Sequence, residues 1–281
     1  MKKHLVSYAT IEHQKNQKRL NKSALNFGVD NVVSYSSKDL EKTLFYQENK
    51  AILTQKRGAG YWLWKPYIIL TYLEKISDND VLIYSDVGIE IVKDLSPLVD
   101  LCISQGGILL FRNHEYLNRN WTKRDCFVLM ESDEEKYHNS EQTNASFQIY
   151  VKNSWSLNFL KEYLHYCQLG DIITDSPNTL GLDNFSDFID HRHDQSVLSL
   201  LVIKHDVKLF RDPSQFGNHR KLPELREPDE WLAKPYSDFS CEMSLYPTLL
   251  NHHRERPVKF DQRVKGKLQR LYRKAQKLFS E

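Results

Sequence analysis

Cysteine is scarce in this sequence, and the four present, Cys102, Cys126, Cys167 and Cys241, show neither CxxC spacing nor a metal-ligand pattern. That sets aside a disulfide scaffold and a cysteine zinc site, and four reduced, mostly buried thiols are expected. No run approaches the roughly 20 apolar residues that span a bilayer. The longest strongly apolar runs have strand length. No secretory signal pattern is recognisable, so a cytoplasmic setting is expected. There is no internal repeat and no low-complexity segment. Near the first predicted strand there is also no glycine-rich basic loop of the kind that cradles phosphates.

The 281 residues suffice for one large α/β domain or two small ones, and 40% hydrophobic with 27% charged residues suits a soluble globular chain. Aromatics are plentiful, with five Trp, fifteen Tyr and thirteen Phe. Such rings fill cores, and they also offer faces to sugars and bases. The formal net charge of +2 is unevenly placed. Residues 254–281 hold ten Lys and Arg against three acids, whereas residues 1–253 are net acidic. Apolar residues at 260, 264, 268, 271, 275, 278 and 279 fall near helical spacing in that basic tail. It therefore reads as a basic amphipathic helix suited to an anionic membrane surface, with a helix packed on the body or a solvated tail as alternatives. The acidic body argues against a nucleic-acid partner.

Strands are expected at 4–9, 32–35, 81–86, 107–111, 146–151 and 207–210. Helices are expected up to about 26 and over 38–54, 67–76, 96–104, 155–167 and up to about 204. The alternation predicts a mostly parallel sheet with helices on both faces. Residues 1–253 form the expected body and 254–281 the tail.

Four segments carry candidate chemistry. The run Val81-Leu-Ile-Tyr-Ser-Asp86 reads as a strand buried on both faces, and an acid at the carboxyl end of such a strand lies where α/β sheets bind ligands. Asp86 could ligate a divalent cation held against a diphosphate, accept hydrogen bonds from a sugar hydroxyl, or simply cap a turn. Gly88 would let the backbone approach a ligand closely. In residues 57–66, Arg57 and Lys65 offer charge to a phosphate, and Tyr61, Trp62 and Trp64 offer stacking faces or an aromatic corner. A helix starting near Lys65 would direct N–H groups at an anion. In His191-Arg-His-Asp-Gln-Ser196, polar groups crowd the start of a helix. Asp194 could cap that helix, or it could join His193 and Gln195 in binding hydroxyls and orienting an acceptor. Finally, His252 in Asn251-His-His-Arg254 could complete a metal site begun by Asp86. Lys123 and Arg124 could neutralise phosphate from a solvated loop.

Taken together, Gly-Tyr-Trp-Leu-Trp-Lys-Pro (60–66), Ile83-Tyr-Ser-Asp-Val-Gly88, His193-Asp-Gln-Ser196 and the late histidines resemble the GT-A type nucleotide-sugar glycosyltransferases. The likeness is nearest to bacterial ones that build surface polysaccharides such as capsule or lipopolysaccharide. The resemblance implies a single Rossmann-like GT-A domain and a hexosyltransferase activity. It also implies a UDP-sugar donor and a glycan or lipid-linked acceptor. Donor binding would fall to Arg57, Tyr61, Trp64, Lys65, Asp86 and Gly88, and catalysis to His193, Asp194 and Gln195. The family's strand-end Asp-x-Asp has Gly88 in place of its second acid here, which puts an Mn²⁺ or Mg²⁺ cofactor on Asp86 and His252 in doubt. His193-Asp-Gln-Ser is similar to the His-Asp-Glu-Ser of retaining galactosyltransferases related to blood-group enzymes, with Gln195 where the family has Glu. Retention would then use Gln195 or Asp194 as an electrostatic partner, and inversion would use Asp194 as base. Competing expectations are a nucleotidyltransferase acting on sugar phosphates and a non-catalytic carbohydrate- or lipid-surface-binding protein.

Overall fold

The computed structural model describes residues 1–218 and 246–253. The expected tail helix over 254–281, together with Cys241, lies outside the described residues. Among the described residues there are eight strands: β1 (Lys3–Tyr8), β2 (Asn31–Tyr35), β3 (Val81–Ser85), β4 (Ile89–Ile91), β5 (Ile108–Leu117), β6 (Glu141–Val151), β7 (Leu209–Phe210) and β8 (Leu250–His252). Six of them form one sheet in the order β2-β1-β3-β6-β5-β7, and β4 pairs with β8 in a separate ribbon. Five strands of the large sheet run in one direction, and β6 runs antiparallel to both of its neighbours. The mostly parallel sheet read from the sequence is therefore present, with one reversed strand at its centre.

The period of two along β3 assigns its side chains to two cores. Leu82 and Tyr84 enter a core beneath the helices Trp64–Lys75, Ser154–Cys167 and Asp194–Lys204. Val81 and Ile83 enter a second core beneath the helices Gln14–Asn26 and Ser96–Ser104. All four are fully buried, and burying such a side chain stabilises the fold by about 1.5–3 kcal/mol. A strand covered on both faces cannot show polar alternation, which is why its sequence is a continuous apolar run.

Two regions differ from the sequence reading. The single helix expected over 38–54 is three short ones, Ser37–Glu41, Leu44–Glu48 and Lys50–Leu53. Ser36 and Asp39 form a capping box, and the Thr43 hydroxyl accepts from the Tyr46 amide, so the first two short helices each start on their own cap. The expected solvated loop near 121–125 is instead two short helices, Asn118–Trp121 and Arg124–Leu129.

Between the last of the three short helices and Trp64, the chain makes a left-handed turn in which Gly58, Ala59, Gly60, Tyr61 and Trp62 all have positive φ. Gly60, at φ +97°, lies so close to Leu53 that a Cβ would stand 2.6 Å from its Cα. Gly60→Ala is therefore expected to lower stability by about 1–3 kcal/mol, read as a shift of the urea midpoint. An unmoved midpoint would mean that this turn does not hold the packing described.

Candidate functional site

In a parallel sheet, ligands settle outside the carboxyl ends of strands where the chain changes direction across the sheet. Here the chain leaves β1 for β2 on one side and returns to β3 on the other, so that point lies between β1 and β3. Two cavities open there. One, of about 800 Å³, is walled by Tyr8 at the end of β1 and Ala9 and Thr10 after it, by Gln55, Lys56 and Gly58, and by Val87 and Gly88. The other, of about 450 Å³, reaches across β6 and β5 to residues 190–195. Asp86, Trp62, Ser146 and His252 line both.

Asp86 is fixed by its surroundings. Its amide donates to the Ser146 carbonyl at 2.7 Å, which extends the β3–β6 ladder by one residue. Its carboxylate accepts the Tyr84 hydroxyl, and the Lys65 ammonium lies 3.7 Å away. The same ammonium is 2.7 Å from Asp194 and donates to the Ala145 carbonyl at 3.3 Å. Asp194 also accepts the Tyr163 hydroxyl at 3.3 Å. The side chains of Lys65 and Asp194 are 3% and 4% exposed, against 37% for Asp86. Burial pulls the lysine pKa down, but Asp194 and then Asp86 outweigh that and hold it above its ordinary value. Burial pushes the Asp194 carboxyl up against the pull of Lys65. Burial, followed by the nearby carboxylates, drives the Tyr84 and Tyr163 hydroxyls well up, so both remain donors.

These contacts revise two sequence expectations. Lys65 does not present a free charge to a phosphate, because its ammonium bridges two carboxylates on the floor of the smaller cavity. Asp194 begins the helix Asp194–Lys204 without capping it, and the residue ahead of it makes no side-chain cap either. That residue, His193, has φ 53° and ψ −120°, a sparsely populated region for a non-glycine residue. Its Nδ1 donates to the Ile173 carbonyl at 2.7 Å, and its ring packs on Tyr61 and Trp62 at 4.9 and 5.6 Å. His191 is buried too: its Nε2 donates to the Ile172 carbonyl at 2.8 Å and its Nδ1 faces the Lys123 amide at 3.3 Å. Burial, then His193 and Lys123, hold its pKa well below the ordinary value, which keeps it neutral.

The aromatic segment divides. Trp62 lines both cavities. Trp64 is buried, stacks on Tyr8 at 4.1 Å and donates to the Gly58 carbonyl at 3.0 Å, with one edge on the larger cavity. Tyr61 lines neither cavity and instead supports His193. Arg57 pairs with Asp175 at 3.1 Å and Asp190 at 2.5 Å, so it ties the 171–190 segment to the rim of the smaller cavity. Lys123 is buried on Ser176 and Arg124 pairs with Asp133, so neither offers a loop charge.

Gln195 lies on the cavity wall, and its orientation is set by a group that the sequence did not single out. The fully buried Gln142 donates Nε2 to the Trp121 carbonyl at 3.2 Å, so its Oε1 is an acceptor. That oxygen accepts Nε2 of Gln195 at 2.7 Å. The Gln195 amide nitrogen is thus engaged inside the protein, and its carbonyl oxygen is the end left for the cavity.

Among the described residues, no three His, Cys, Asp or Glu converge to hold a metal ion. Asp86 and His252 line the same cavities, and β8 lies against β4 so that Ile89 pairs with His252. A Cβ at Gly88 would meet only the His253 carbonyl, at an ordinary 3.7 Å, so packing does not forbid an acid there. Among the described residues, then, Asp86 and His252 are brought to the same cavities but do not by themselves make a metal-holding cluster.

No protein-family description matches the chain, and no curated protein matches it. Solved structures do. The apo bifunctional glycosyltransferase WbbM superposes with a TM-score of 0.50 and 10% identity, covering 93% of this chain and 47% of that one. The galactosyltransferase LgtC, solved with donor and acceptor sugar analogues, gives 0.46 and 14% over 92% of this chain and 90% of that one. Mouse xyloside xylosyltransferase 1, in its apo form, gives 0.46 and 12% over 91% and 98%. At these identities the likeness is one of fold. The chain has the GT-A glycosyltransferase fold.

Proposed function

We propose that this chain is a glycosyltransferase that moves a sugar from a nucleotide-sugar donor, with UDP favoured, to a hydroxyl of a glycan or lipid-linked acceptor. Cell-surface polysaccharide synthesis is the setting that the sequence resemblance favours. The carrying observation is that two cavities meet at Asp86, at the carboxyl ends of β1 and β3. The larger cavity has the position that α/β sheets use for nucleotides, so the donor's nucleoside diphosphate is assigned to it. The transferred sugar then lies at the seam, where the Asp86 carboxylate can accept its hydroxyls, and the acceptor enters through the smaller cavity.

The polar groups on that wall support a front-face transfer with retention. The bond between the anomeric carbon and the diphosphate oxygen breaks, and the acceptor oxygen bonds to the same face. The acceptor's proton passes to the departing diphosphate. Gln195 would turn its carbonyl oxygen toward the positive charge that develops on the sugar, a fixed dipole that needs no reorientation. Asp194 has one oxygen engaged by Lys65 and Tyr163 and is nearly inaccessible, which suits holding the floor better than acting as base. If Mn²⁺ or Mg²⁺ binds with the diphosphate, Asp86 and His252 are the described residues that would hold it, and it would supply charge neutralisation of the leaving group. No helix among the described residues is long and apolar enough to cross a membrane. An acceptor in lipid would then be met at the surface, through the basic 254–281 segment.

The test is a thermal-shift screen with UDP-, GDP-, CMP- and dTDP-sugars, each with and without Mn²⁺, followed by NMR of the product's anomeric configuration. A ligand at 100 times its Kd adds about 2.7 kcal/mol, enough to raise Tm visibly. At least one nucleotide class should do so. A flat response to all four would overturn the reading, and binding without turnover would favour a non-catalytic sugar-binding protein.

A further inference from the structure

The smaller cavity is rich in charge, and nearly all of that charge is matched within the protein. Among its carboxylates, Asp86 and Asp194 share Lys65. Asp190 pairs with Arg57, and Asp212 accepts Asn144 Nδ2 at 2.8 Å. Of its guanidiniums, Arg57 holds two carboxylates and Arg112 pairs with Glu141 at 3.3 Å. Arg192 differs. Among the described residues its guanidinium makes no ion pair and no hydrogen bond, although it lines the cavity.

Arg192 is nonetheless held in place. Its guanidinium carbon lies 4.3 Å from the centroid of the Trp121 ring and 4.9 Å from that of Tyr116, and those two rings pack on each other at 5.1 Å. Its backbone amide donates to the Trp121 carbonyl and the Ser196 hydroxyl at 3.1 and 3.2 Å. Stacking on aromatic rings leaves the in-plane N–H donors of a guanidinium unsatisfied and pre-aimed, the arrangement that suits a two-oxygen anion. It also removes much of the rotamer freedom that a free arginine would lose on binding.

We infer that the acceptor is an anionic sugar, bearing a carboxylate or a phosphate that docks on Arg192. This rests on the glycosyltransferase reading and deepens it by naming the acceptor's chemical class. Arg192, stacked on Tyr116 with Asn113 beside it on the cavity wall, forms the anion subsite, on the side of the cavity away from β1. The nucleotide chamber is not involved.

Calorimetric titration of the full chain, saturated with UDP, tests this with methyl glucuronide, glucose 6-phosphate and neutral methyl glucoside. At least one anionic sugar should bind about 10-fold or more tightly than methyl glucoside, and which one does identifies the carboxylate or the phosphate. The preference should fall with added salt. It should vanish in Arg192→Met and be partly kept in Arg192→Lys, while UDP affinity stays unchanged in both variants and reports that they are folded. Equal responses to all three sugars, including none, would overturn the inference, as would an anionic preference that survives in Arg192→Met. Loss of UDP binding by the unaltered protein would instead strike at the glycosyltransferase reading itself.

Discussion

Lys65→Met is expected to cost about 3–5 kcal/mol of stability, a large share of the total for a domain of this size. The reason is geometric. The ammonium is the cation that faces both Asp194 and Asp86 in a layer otherwise closed by Tyr84 and Tyr163. Asp86 reaches solvent, so its share is small once screening is allowed for. Asp194 does not, and without Lys65 it must either keep an uncompensated charge or take up a proton. Urea unfolding at neutral pH measures the loss. The double variant Lys65→Met with Asp194→Asn should recover most of it, since both partners are then neutral. A loss in the single variant of less than about 1 kcal/mol would mean that the ammonium does not hold the cavity floor.

Asp86→Asn should do the opposite: leave the fold almost intact and lower sugar transfer by about 10²-fold or more. The amide keeps the size of the side chain and can still accept the Tyr84 hydroxyl, and the main-chain tie from Asp86 to Ser146 is untouched. What disappears is the negative charge at the seam of the two cavities. Steady-state transfer should therefore fall in kcat/KM, with a weaker effect on the Kd for the nucleotide alone, because the nucleoside is assigned to the β1 side. Transfer at the unaltered rate would remove Asp86 from the mechanism and with it the strongest link between β3 and function.

How much of this was legible follows from what a sequence encodes locally. The β3 strand and its terminal Asp86 were readable because a doubly covered strand must be an unbroken apolar run ending in a polar residue. The helix expected over 96–104 is present as Ser96–Ser104, with a proline in its first turn. The direction of β6 was not readable, since an apolar pattern is the same read either way. That reversal is what brings Asn144, Ala145 and Ser146, near its start, to the ligand edge of the sheet. The role of Lys65 was misread for a related reason. A lysine next to glycines and tryptophans looks like a phosphate ligand until its partner Asp194, far along the chain, is found 2.7 Å away. Gln142 gave no signal at all, since one glutamine in a strand is indistinguishable from a solvated one. Its full burial was the missing clue. The wall formed by Tyr8, Ala9 and Thr10 was passed over because it lacks a glycine-rich motif, although its place beside the point where the chain changes direction follows from topology alone.

The relay from the Trp121 carbonyl through Gln142 to Gln195 has a consequence for how the site responds to its medium. Every member is an amide or a peptide group, so none gains or loses a proton over the range in which proteins stay folded. Acid, base or a bound anion can change the charges elsewhere in the cavity, yet the direction of the Gln195 dipole is set by uncharged neighbours and stays constant. A glutamate at that position would carry a stronger charge but one hostage to pH and to the nearby Asp86 and Asp194 carboxylates. An amide gives up strength and gains constancy, so the acidity profile of any reaction here is written by the other groups.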